Sequence, residues 1–328
     1  MRAITIKDSE LVLSQLECPE PSANEVRVRV HAAGVNRADV LQRLGMYPPP
    51  PDAPRDIPGL EISGVVEAAG SAVHEVAVGD RVMAIVSGGA YAEQIVIHSR
   101  LVARIPNNCS FVHAAAIPEA FVTAYDAMVS QANLAAGDTV LVHAVGSGVG
   151  TAAVQIARAI GANVIGTART KDKLTRAREL GMAAGIVPET DKTTNAPKFA
   201  DAARAENGGR GVDVVLDLVG GAYLAESLHA LTEKGRVVLV GLMAGTNADI
   251  NLGLVLRKRL HIMGTVLRAR PLEEKILAAQ ILANRIAPLV ETGALQAIVD
   301  KTFPLAEARA AQDYMASNAG FGKIVLTI

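Results

Sequence analysis

The first third of the chain has the pattern of apolar and polar positions that short β-strands produce. Residues 25–31, EVRVRVH, alternate strictly between the two kinds, which is typical of a strand with one buried face. Further strands, separated by Gly, Pro and Asp, are predicted at 62–69, 81–86, 91–97 and, near the end of the chain, 323–328. We therefore predict a β-rich domain over residues 1–120. Residues 266–328, with one or two helices before the last strand, are expected to complete it.

The period of the pattern changes after Pro118. Residues 119–134 are a long helix-compatible stretch, and from Thr139 onward strands alternate with helical segments. Such alternation is typical of βαβ units, which build a parallel sheet. Six strands are predicted, at 139–143, 163–167, 184–187, 212–217, 236–240 and 260–264. Six strands suit a doubly wound, nucleotide-binding sheet, so we predict an α/β Rossmann domain over residues 121–265.

Composition narrows the choice of partner. The 328 residues carry a formal net charge of -1, so no strong field draws the chain to nucleic acid or to an anionic membrane. The start, MRAITIKDSE, lacks the apolar core of a signal peptide, and no apolar run of about 18 residues is present. We expect a soluble, cytoplasmic protein with a small-molecule partner. Cys18 and Cys109 are too few for a four-cysteine zinc site or a disulfide framework.

A glycine-rich turn follows the first strand of the predicted Rossmann domain. Residues 139–152 read TVLVHAVGSGVGTA, which predicts a strand, a turn and the start of a helix. Missing side chains let backbone N–H groups approach a pyrophosphate, and the helix N-terminus then faces the anion. The spacing G-x-G-x-G departs from the usual G-x-G-x-x-G, and a merely structural turn is the alternative. The βαβ context favours a cofactor site, at Gly146, Ser147, Gly148, Val149 and Gly150.

The end of the second strand indicates which nicotinamide cofactor binds. An NAD enzyme has an acid there to bind the ribose hydroxyls. This chain has Arg169 and Thr170 at that point, with Lys173 shortly after. A guanidinium can bind a 2′-phosphate through two hydrogen bonds, so NADPH is predicted. The alternative is that these residues are only the solvated first turn of a helix.

Two further turns are expected to face the cofactor. They follow the fourth and fifth strands of the Rossmann domain, and ligands of such sheets bind at the carboxyl ends of strands. The alternative for each is a glycine that ends a helix. The residues are 217–221 in the first turn and Gly241, Leu242 and Met243 in the second.

Short motifs that are spread over the whole chain indicate a family. They are NRAD at 36–39, QR at 42–43, GMYPPP at 45–50, GLE at 59–61, AAAIPEA at 114–120, SGVGTAA at 147–153 and GKIVL at 322–326. Together they resemble the zinc-free quinone oxidoreductases of the medium-chain dehydrogenase/reductase superfamily, especially the p53-inducible quinone oxidoreductase group. The resemblance implies a GroES-like catalytic domain, a Rossmann domain, an active-site cleft between them, NADPH as the donor, and a homodimer or a dimer of dimers.

Two positions bear on metal binding. Zinc-dependent relatives have a Cys where this chain has Asn36, and a His where it has Leu60. Neither replacement is a good zinc ligand, and the seven histidines show no metal-ligand spacing. We therefore expect no metal, and a reaction that proceeds without a Lewis acid.

The resemblance also implies roles for single residues. Tyr47 is the expected hydrogen-bond donor and ring contact, Asn36 is expected beside the nicotinamide, and Ser147 matches a position that affects cofactor binding and activity. Five more residues are implied to contact the cofactor: Thr123 at the carboxamide, Leu267 and Arg268 covering the cofactor, and Gly322 with Lys323 at the pyrophosphate. Each of these residues has an alternative as ordinary loop, helix or surface structure. Relatives often have a Tyr near the adenosine phosphate where this chain has Pro188.

Three functions remain open at this point. A quinone accepts hydride readily and needs mainly orientation and a donor for the developing oxyanion, so NADPH-dependent quinone reduction by hydride or electron transfer is expected first. An NADPH-dependent enoyl or alkenal reductase, acting on an activated alkene, is the alternative, and it needs a proton donor at the adjacent carbon. A non-catalytic, crystallin-like NADPH-binding protein is the alternative of another class.

Overall fold

The computed structural model describes residues 1–193 and 196–328, which form two compact units. Unit 1 consists of Met1–Val122 and Leu267–Ile328, and unit 2 of Thr123–Val266. Unit 1 is rich in antiparallel strands, whereas unit 2 contains a parallel sheet with helices between its strands. The predicted α/β fold class is confirmed.

The elements are numbered in chain order. The strands are β1 (Arg2–Lys7), β2 (Glu10–Gln15), β3 (Glu25–Val35), β4 (Glu61–Ala69), β5 (Arg81–Ile85), β6 (Gln94–His98), β7 (Val102–Arg104), β8 (Thr139–Val142), β9 (Asn163–Thr167), β10 (Ala184–Ile186), β11 (Glu189–Thr190), β12 (Pro197–Lys198), β13 (Val212–Asp217), β14 (Leu231–Leu239), β15 (His261–Gly264), β16 (Val299–Pro304) and β17 (Lys323–Thr327). The helices are α1 (Arg37–Arg43), α2 (Phe111–Ala114), α3 (Pro118–Tyr125), α4 (Gly148–Ile160), α5 (Lys171–Glu179), α6 (Ala200–Glu206), α7 (Tyr223–Ala230), α8 (Leu252–Lys258), α9 (Leu272–Ile281), α10 (Ala287–Glu291) and α11 (Ala308–Ser317). Two π-helical segments, Asp126–Gln131 and Leu282–Ile286, continue α3 and α9.

The main sheet of unit 1 has the order β16-β17-β3-β4-β5-β7, and β6 also pairs with β3. The first half of β3 buries Val26, Val28 and Val30 and leaves the residues between them more exposed, as its alternating sequence predicts. Its second half is buried on both faces, because Ala33 and Val35 belong to the main core of the unit while Ala32 packs in a separate cluster with Ala115 and Ala116. The strand is therefore longer than predicted and reaches Val35.

Three predictions for unit 1 need correction. The strand predicted at 91–97 begins only at Gln94, and Tyr91 is instead a fully buried loop residue. The C-terminal segment contains three helices and a π-helical segment rather than one or two helices. It also contributes β16, which pairs with β17 at the edge of the sheet. Exposed, mostly polar positions along β16 explain why its sequence does not predict a strand.

Unit 2 has a six-stranded parallel sheet with the order β10-β9-β8-β13-β14-β15. This is the doubly wound order. The chain adds β9 and β10 on one side of β8, and then crosses back to add β13, β14 and β15 on the other side. All six predicted strands are present, and β9 and β13 have the predicted bounds. Strand β14 begins at Leu231 rather than Arg236, because an irregular pairing with β13 extends it.

The helical stretch predicted at 119–134 consists of two different segments. An α-helix, α3, ends at Tyr125, and a π-helical segment follows from Asp126 to Gln131. The boundary between the two units falls inside α3. In the parts of the chain that the structure covers, no helix has the length and apolar character that spanning a membrane requires.

Candidate active site

The glycine-rich turn in unit 2 ends in a capped helix. Ser147 is the N-cap of α4, and its hydroxyl accepts the Gly150 N–H at 3.0 Å. The N–H groups of Gly148 and Val149 have no acceptor among the described residues. Unpaired N–H groups and the aligned peptide dipoles make a helix N-terminus attractive to anions. This turn is therefore equipped to bind a phosphate group.

The unusual backbone conformation of this turn falls on Ala144, not on a glycine. Ala144 has φ +49°, whereas Gly146, Gly148 and Gly150 all have φ outside the left-handed region. Gly150 is required for a different reason, since a Cβ there would lie 2.6 Å from the carbonyl oxygen of Ala144. The glycine thus allows close packing of α4 against the turn, and Ala144 bears the strain of the turn itself.

The end of β9 presents cationic and hydroxyl side chains. Arg169 and Thr170 are exposed directly after this strand, and Lys173 is partly exposed in the first turn of α5. Thr170 is the N-cap of α5, but its side chain makes no capping hydrogen bond. Burial raises the pKa of Tyr223 and the charge of Arg169 lowers it, so the guanidinium lies near that tyrosine. The arrangement suits a second phosphate group.

Asp217 shapes the turn that follows β13. Its Oδ1 atom accepts the N–H groups of Val219 and Gly220, both at 2.8 Å, and the residue is fully buried. The neighbouring turn after β14 exposes half of Leu242 and of Met243. Gly241 precedes them, and a Cβ there would lie 2.6 Å from the carbonyl oxygen of Leu218. Both turns lie at the carboxyl ends of the strands, as predicted.

Unit 1 contains a buried ion pair between two strands. The Lys323 Nζ atom, at the start of β17, lies 2.5 Å from Glu61 Oε1, at the start of β4. The two side chains are 5% and 0% exposed. Lys323 also donates to Asn36 Oδ1 at 2.6 Å, and the Asn36 amide donates to Glu61 Oε1 at 3.0 Å. Glu61 Oε2 accepts the backbone N–H of Glu119 at 2.8 Å. Each charge therefore has partners that compensate its burial.

A second buried carboxyl group, Asp39, lies at the start of α1. Its Oδ2 atom accepts the backbone N–H of Asn36 at 2.8 Å and the hydroxyl of Tyr91 at 2.9 Å. Its Oδ1 atom accepts the Gly59 N–H at 3.2 Å. Burial raises the pKa of Asp39 to about 6, although these hydrogen bonds act in the opposite direction.

Tyr47 is held by Arg268. The guanidinium lies 5.2 Å from the centre of the Tyr47 ring and also donates to the Tyr47 carbonyl oxygen at 3.3 Å. It donates to Ser87 O at 2.7 Å and to Gln42 Oε1 at 2.5 Å, which fixes its position. The Tyr47 hydroxyl has no partner among the residues described, and the side chain is partly buried. Burial and the nearby Glu119 raise its pKa.

Glu119 is a third carboxyl group in this region, on the first turn of α3. The residue is partly buried, and its carboxyl group has no hydrogen-bond or ion-pair partner within residues 1–193 and 196–328. Burial raises its pKa to about 8, and the charge of Glu61 adds to this effect. Lys323 and Arg268 act in the opposite direction but do not reverse it.

The residues of unit 1 do not fit a zinc ion. The Asn36 amide is occupied by Lys323 and Glu61, and Leu60 is a buried apolar residue. The positive charge of Lys323, 2.6 Å from Asn36 Oδ1, would repel a metal ion at this residue. In the described parts of the chain, no group of three or more His, Cys, Asp or Glu side chains is arranged to hold a metal ion.

The remaining predicted site residues have varied surroundings. Thr123 and Leu267 are both 7% exposed, and Gly322 forms the turn before β17 with φ +98°. Arg268 and Lys323, which were expected to touch the cofactor, are bound to residues of unit 1. The structure brings Lys323 to Asn36 and Arg268 to Tyr47.

No role is predicted from the sequence for Asp39, Glu61 or Glu119. A signal for the ion pair was present, because Glu61 and Lys323 are charged residues at the first positions of two strongly apolar strands. Charges of opposite sign at such positions are compatible with a buried pair. No local pattern reveals that Glu119 lacks a partner.

Known protein families match both units. Residues 22–107 match the alcohol dehydrogenase GroES-like domain, and residues 148–284 match the zinc-binding dehydrogenase family. The prediction of a GroES-like domain and a Rossmann domain is confirmed. Among solved structures, the quinone oxidoreductase of Escherichia coli complexed with NADPH has a TM-score of 0.86 and 28% identity, with 100% of each chain covered. An NAD-dependent alcohol dehydrogenase has the same TM-score and 32% identity, again with 100% of each chain covered.

Two kinds of relative stand out by sequence. The erythronolide synthase of Saccharopolyspora erythraea is 38% identical over 93% of this chain, but the chain spans only 8% of the length of that synthase. The quinone oxidoreductase of Sus scrofa is 32% identical over 96% of this chain and 92% of its own length. The chain therefore belongs to the medium-chain dehydrogenase/reductase superfamily of oxidoreductases, in which quinone oxidoreductases resemble it over nearly their whole length.

Proposed function

We propose that this chain is an NADPH-dependent quinone reductase that works without a metal. The observation that carries the proposal is the 32% identity with a quinone oxidoreductase over 92% of that enzyme's length. The donor set of unit 1 supports the metal-free part, since Asn36 and Leu60 offer no zinc site. A quinone suits such a site because it accepts hydride without a Lewis acid.

The features of unit 2 fit NADPH, which supplies a hydride when it is bound. The free N–H groups of Gly148 and Val149 would hold the pyrophosphate, with Ser147 fixing the turn around them. Arg169, Thr170 and Lys173 would hold the 2′-phosphate, since no acid stands directly at the end of β9 to bind ribose hydroxyls and Asp172 lies in the first turn of α5. Solved structures of similar fold include both an NADPH enzyme and an NAD enzyme, so the fold by itself does not decide the cofactor. The choice of cofactor therefore depends on Arg169 in this proposal.

In unit 1, Tyr47 is the group suited to meet the substrate. Its free hydroxyl can donate a hydrogen bond to the oxyanion that develops on a quinone, and its ring offers a flat contact. Arg268 holds the ring in one orientation. Asn36 has its amide committed to Lys323 and Glu61, so its contribution is to position the residues around it.

Reduction of an activated C=C bond is the second candidate. A polyketide synthase is 38% identical to this chain, which is more than the 32% of the porcine quinone oxidoreductase. Because a polyketide synthase builds carbon chains, this similarity favours an activated C=C bond as the acceptor. The two reactions share the hydride donor and differ in whether the proton ends on oxygen or on carbon.

Steady-state assays separate these functions. NADPH oxidation would be measured with 9,10-phenanthrenequinone, with 1,4-benzoquinone and with an α,β-unsaturated aldehyde. We expect turnover of at least one quinone with a higher kcat/KM than that of the aldehyde. The reverse preference would replace the quinone proposal by the C=C reductase. Tight NADPH binding without turnover of any acceptor would favour a non-catalytic, cofactor-binding protein.

The cofactor choice is tested by Arg169→Ala. Loss of a bidentate contact with a phosphate should weaken NADPH binding by roughly 10-fold or more while leaving NADH binding nearly unchanged. Arg178→Ala, at an exposed position of α5, the helix that follows Arg169, is the matched control. Equal effects of Arg169→Ala on the two cofactors would show that the phosphate assignment is wrong.

We also propose that two copies of the chain pair through β15. This strand pairs with β14 on one side, and within the described residues no strand covers its other side. Apolar side chains are exposed beside this edge, namely Leu252, Leu256, Ile262 and Val266. A second copy that adds its own β15 would satisfy the edge and bury these side chains.

Sedimentation equilibrium tests the pairing. The wild-type chain should sediment as a dimer at micromolar concentration, and Ile262→Asp should dissociate it. Leu13→Asp, at an exposed apolar position of β2, should leave the mass unchanged. A monomeric wild type would show that this surface does not pair copies.

A further inference from the structure

Five charged or ionisable side chains of unit 1 form a cluster that includes the neighbours of Tyr47. Asp39 comes from α1, Glu61 from β4, Glu119 from α3, Lys323 from β17 and Arg268 from the segment before α9. All four of the others act electrostatically on Glu119, and Glu119 in turn acts on Tyr47. The cluster holds three carboxyl groups and two cations, so full ionisation would leave one negative charge without compensation.

The hydrogen bonds decide which carboxyl group keeps a proton. Glu61 is paired with Lys323 at 2.5 Å and accepts two N–H bonds as well. Asp39 accepts two backbone N–H groups and the Tyr91 hydroxyl. Glu119 accepts none within the described part of the chain. Since hydrogen bonds to a carboxylate favour its charged form, Glu119 is the member of the cluster whose neutral form is favoured.

Accessibility sets Glu119 apart in a second way. Glu61 and Asp39 are completely buried, whereas part of the Glu119 surface reaches solvent. Glu119 is therefore the carboxyl residue of this cluster that lies nearest to water, and its charge acts on Tyr47. Tyr47 itself holds its proton more firmly than an ordinary tyrosine, because burial and Glu119 raise its pKa. Tyr47 is thus suited to orient a substrate and less suited to give up a proton at neutral pH.

We propose that Glu119 is the general acid of this site, and that its carboxyl group supplies the proton consumed when the substrate is reduced. The inference rests on the proposed reductase function. It adds a catalytic residue that neither the sequence motifs nor the family relationship assigns.

The step balances in atoms and electrons. A quinone gains one hydride, with its electron pair, from the reduced nicotinamide, and one proton at the second oxygen. The O–H bond of Glu119 breaks, an O–H bond forms on the hydroquinone, and the nicotinamide is oxidised. The Glu119 carboxylate then takes a proton from water, which restores the starting state. An activated alkene would take the same proton at carbon.

The protonation state is tested first on the free protein, without cofactor. Infrared difference spectra across pH 6 to 10 should show a carboxylic acid C=O band that disappears with an apparent pKa of about 8. Glu119→Gln should remove this band. Glu291→Gln, at an exposed carboxyl group of the same unit, should leave it unchanged. Absence of any such band at neutral pH would overturn the proposal.

The catalytic role is tested by the pH profile of kcat with the preferred acceptor. Wild-type kcat should fall as the pH rises above about 8, where Glu119 loses its proton. Glu119→Gln should lower kcat by roughly 100-fold at pH 7 and remove this decline. NADPH affinity should stay the same, and Glu119→Asp should restore part of the rate. A merely structural role would lower the rate equally at every pH.

The outcomes distinguish this inference from the function on which it rests. An active wild type whose pH profile is unchanged in Glu119→Gln would overturn the role of Glu119 alone. A wild type that reduces neither quinone nor alkenal would overturn the proposed function, and the general-acid role with it. The infrared titration reports the protonation of Glu119 in either case.

Discussion

At the scale of single residues, the buried charges of unit 1 depend on one another. Glu61 is fully buried, and its negative charge is tolerated because Lys323 lies 2.5 Å away and Asn36 bonds to both. A buried pair of this kind gains little over two apolar residues, but removal of one partner leaves an uncompensated charge in a poorly polarisable environment. The two residues therefore act as one unit in stability.

Lys323→Met should lower the free energy of unfolding by about 3–5 kcal/mol, because it leaves Glu61 buried and unpaired. The double variant Lys323→Met with Glu61→Gln should recover part of that loss, since no charge remains. Urea denaturation of both, with Lys7→Met at an exposed position as the control, measures the difference. If Lys323→Met lowered the free energy of unfolding by less than about 1 kcal/mol, Glu61 would not be left desolvated, because water would enter or its side chain would move.

Ala144→Gly should stabilise the chain by up to about 1 kcal/mol, because Ala144 holds a left-handed conformation with φ +49° that costs a side-chain-bearing residue more than glycine. The expected gain is reduced by the greater freedom of glycine in the unfolded chain. Ala159→Gly, at an exposed position inside α4, should instead destabilise by about 1 kcal/mol. Thermal unfolding of the two variants would contradict this account if both lost stability equally.

At the scale of elements, α4 combines two functions at its N-terminus. The Ser147 hydroxyl caps the helix through Gly150, while the N–H groups of Gly148 and Val149 stay free. Capping requires only a side-chain oxygen at this position, whereas phosphate binding also requires that no negative charge stands beside the free N–H groups. The two functions can therefore be separated by one substitution.

Ser147→Asp should keep the stability of the chain within about 0.5 kcal/mol, because aspartate is as good an N-cap as serine. The same change should weaken NADPH binding at least 10-fold through repulsion of the phosphates. Ser147→Ala should show the opposite balance, with a loss of about 1 kcal/mol in stability and a smaller loss of affinity. Chemical denaturation and fluorescence titration measure the two quantities, and parallel losses in both variants would refute the separation.

At the scale of the whole molecule, the two units respond to pH in opposite directions. In unit 2, His143 is fully buried and both ring nitrogens are bonded, to Thr167 and Ser227, at 2.9 Å each. Burial lowers its pKa to about 4. The unfolded chain, with a histidine pKa near 6.5, therefore binds more protons between these values, so stability falls as the pH drops through this range.

In unit 1 the sign is reversed. Burial raises the pKa of Asp39 to about 6 and that of Glu119 to about 8. The folded chain then holds more protons than the unfolded chain from about pH 4 upward, so stability falls as the pH rises toward 8. The two ranges overlap, and between about pH 4.5 and pH 6 the two carboxyl groups outweigh His143, so these three groups together should lower the stability as the pH rises.

The pH dependence can be assigned to its source by measuring unfolding free energies from pH 4 to pH 9. His143 should contribute a loss of about 3 kcal/mol between pH 6.5 and pH 4. Glu119→Gln should reduce the loss that runs from about pH 4.5 to pH 8, and it should leave the acid-side loss due to His143 unchanged. His261→Gln, at an exposed histidine, should change neither side. An alkaline loss that persists in Glu119→Gln would show that Glu119 is already ionised at neutral pH.

The sequence by itself determined the features that repeat locally. Alternation predicts β3, isolated apolar runs predict β9 and β13 with their observed bounds, and the glycine-rich segment places the turn before α4. Such signals are reliable because periodicity and turn chemistry are set by neighbouring residues. Strand β16 was not predicted, because its exposed position at the edge of the sheet leaves little apolar pattern in its sequence.

The tertiary structure alone decided the chemistry of unit 1. The pairing of Glu61 with Lys323, the hold of Arg268 on Tyr47 and the lack of a partner for Glu119 all involve segments far apart in the chain. Whether a carboxyl group is charged depends on burial and on neighbours from other elements, and neither quantity is written in local sequence. The same holds for Ala144, where the packing of α4 against the turn places the strain on an alanine among three glycines.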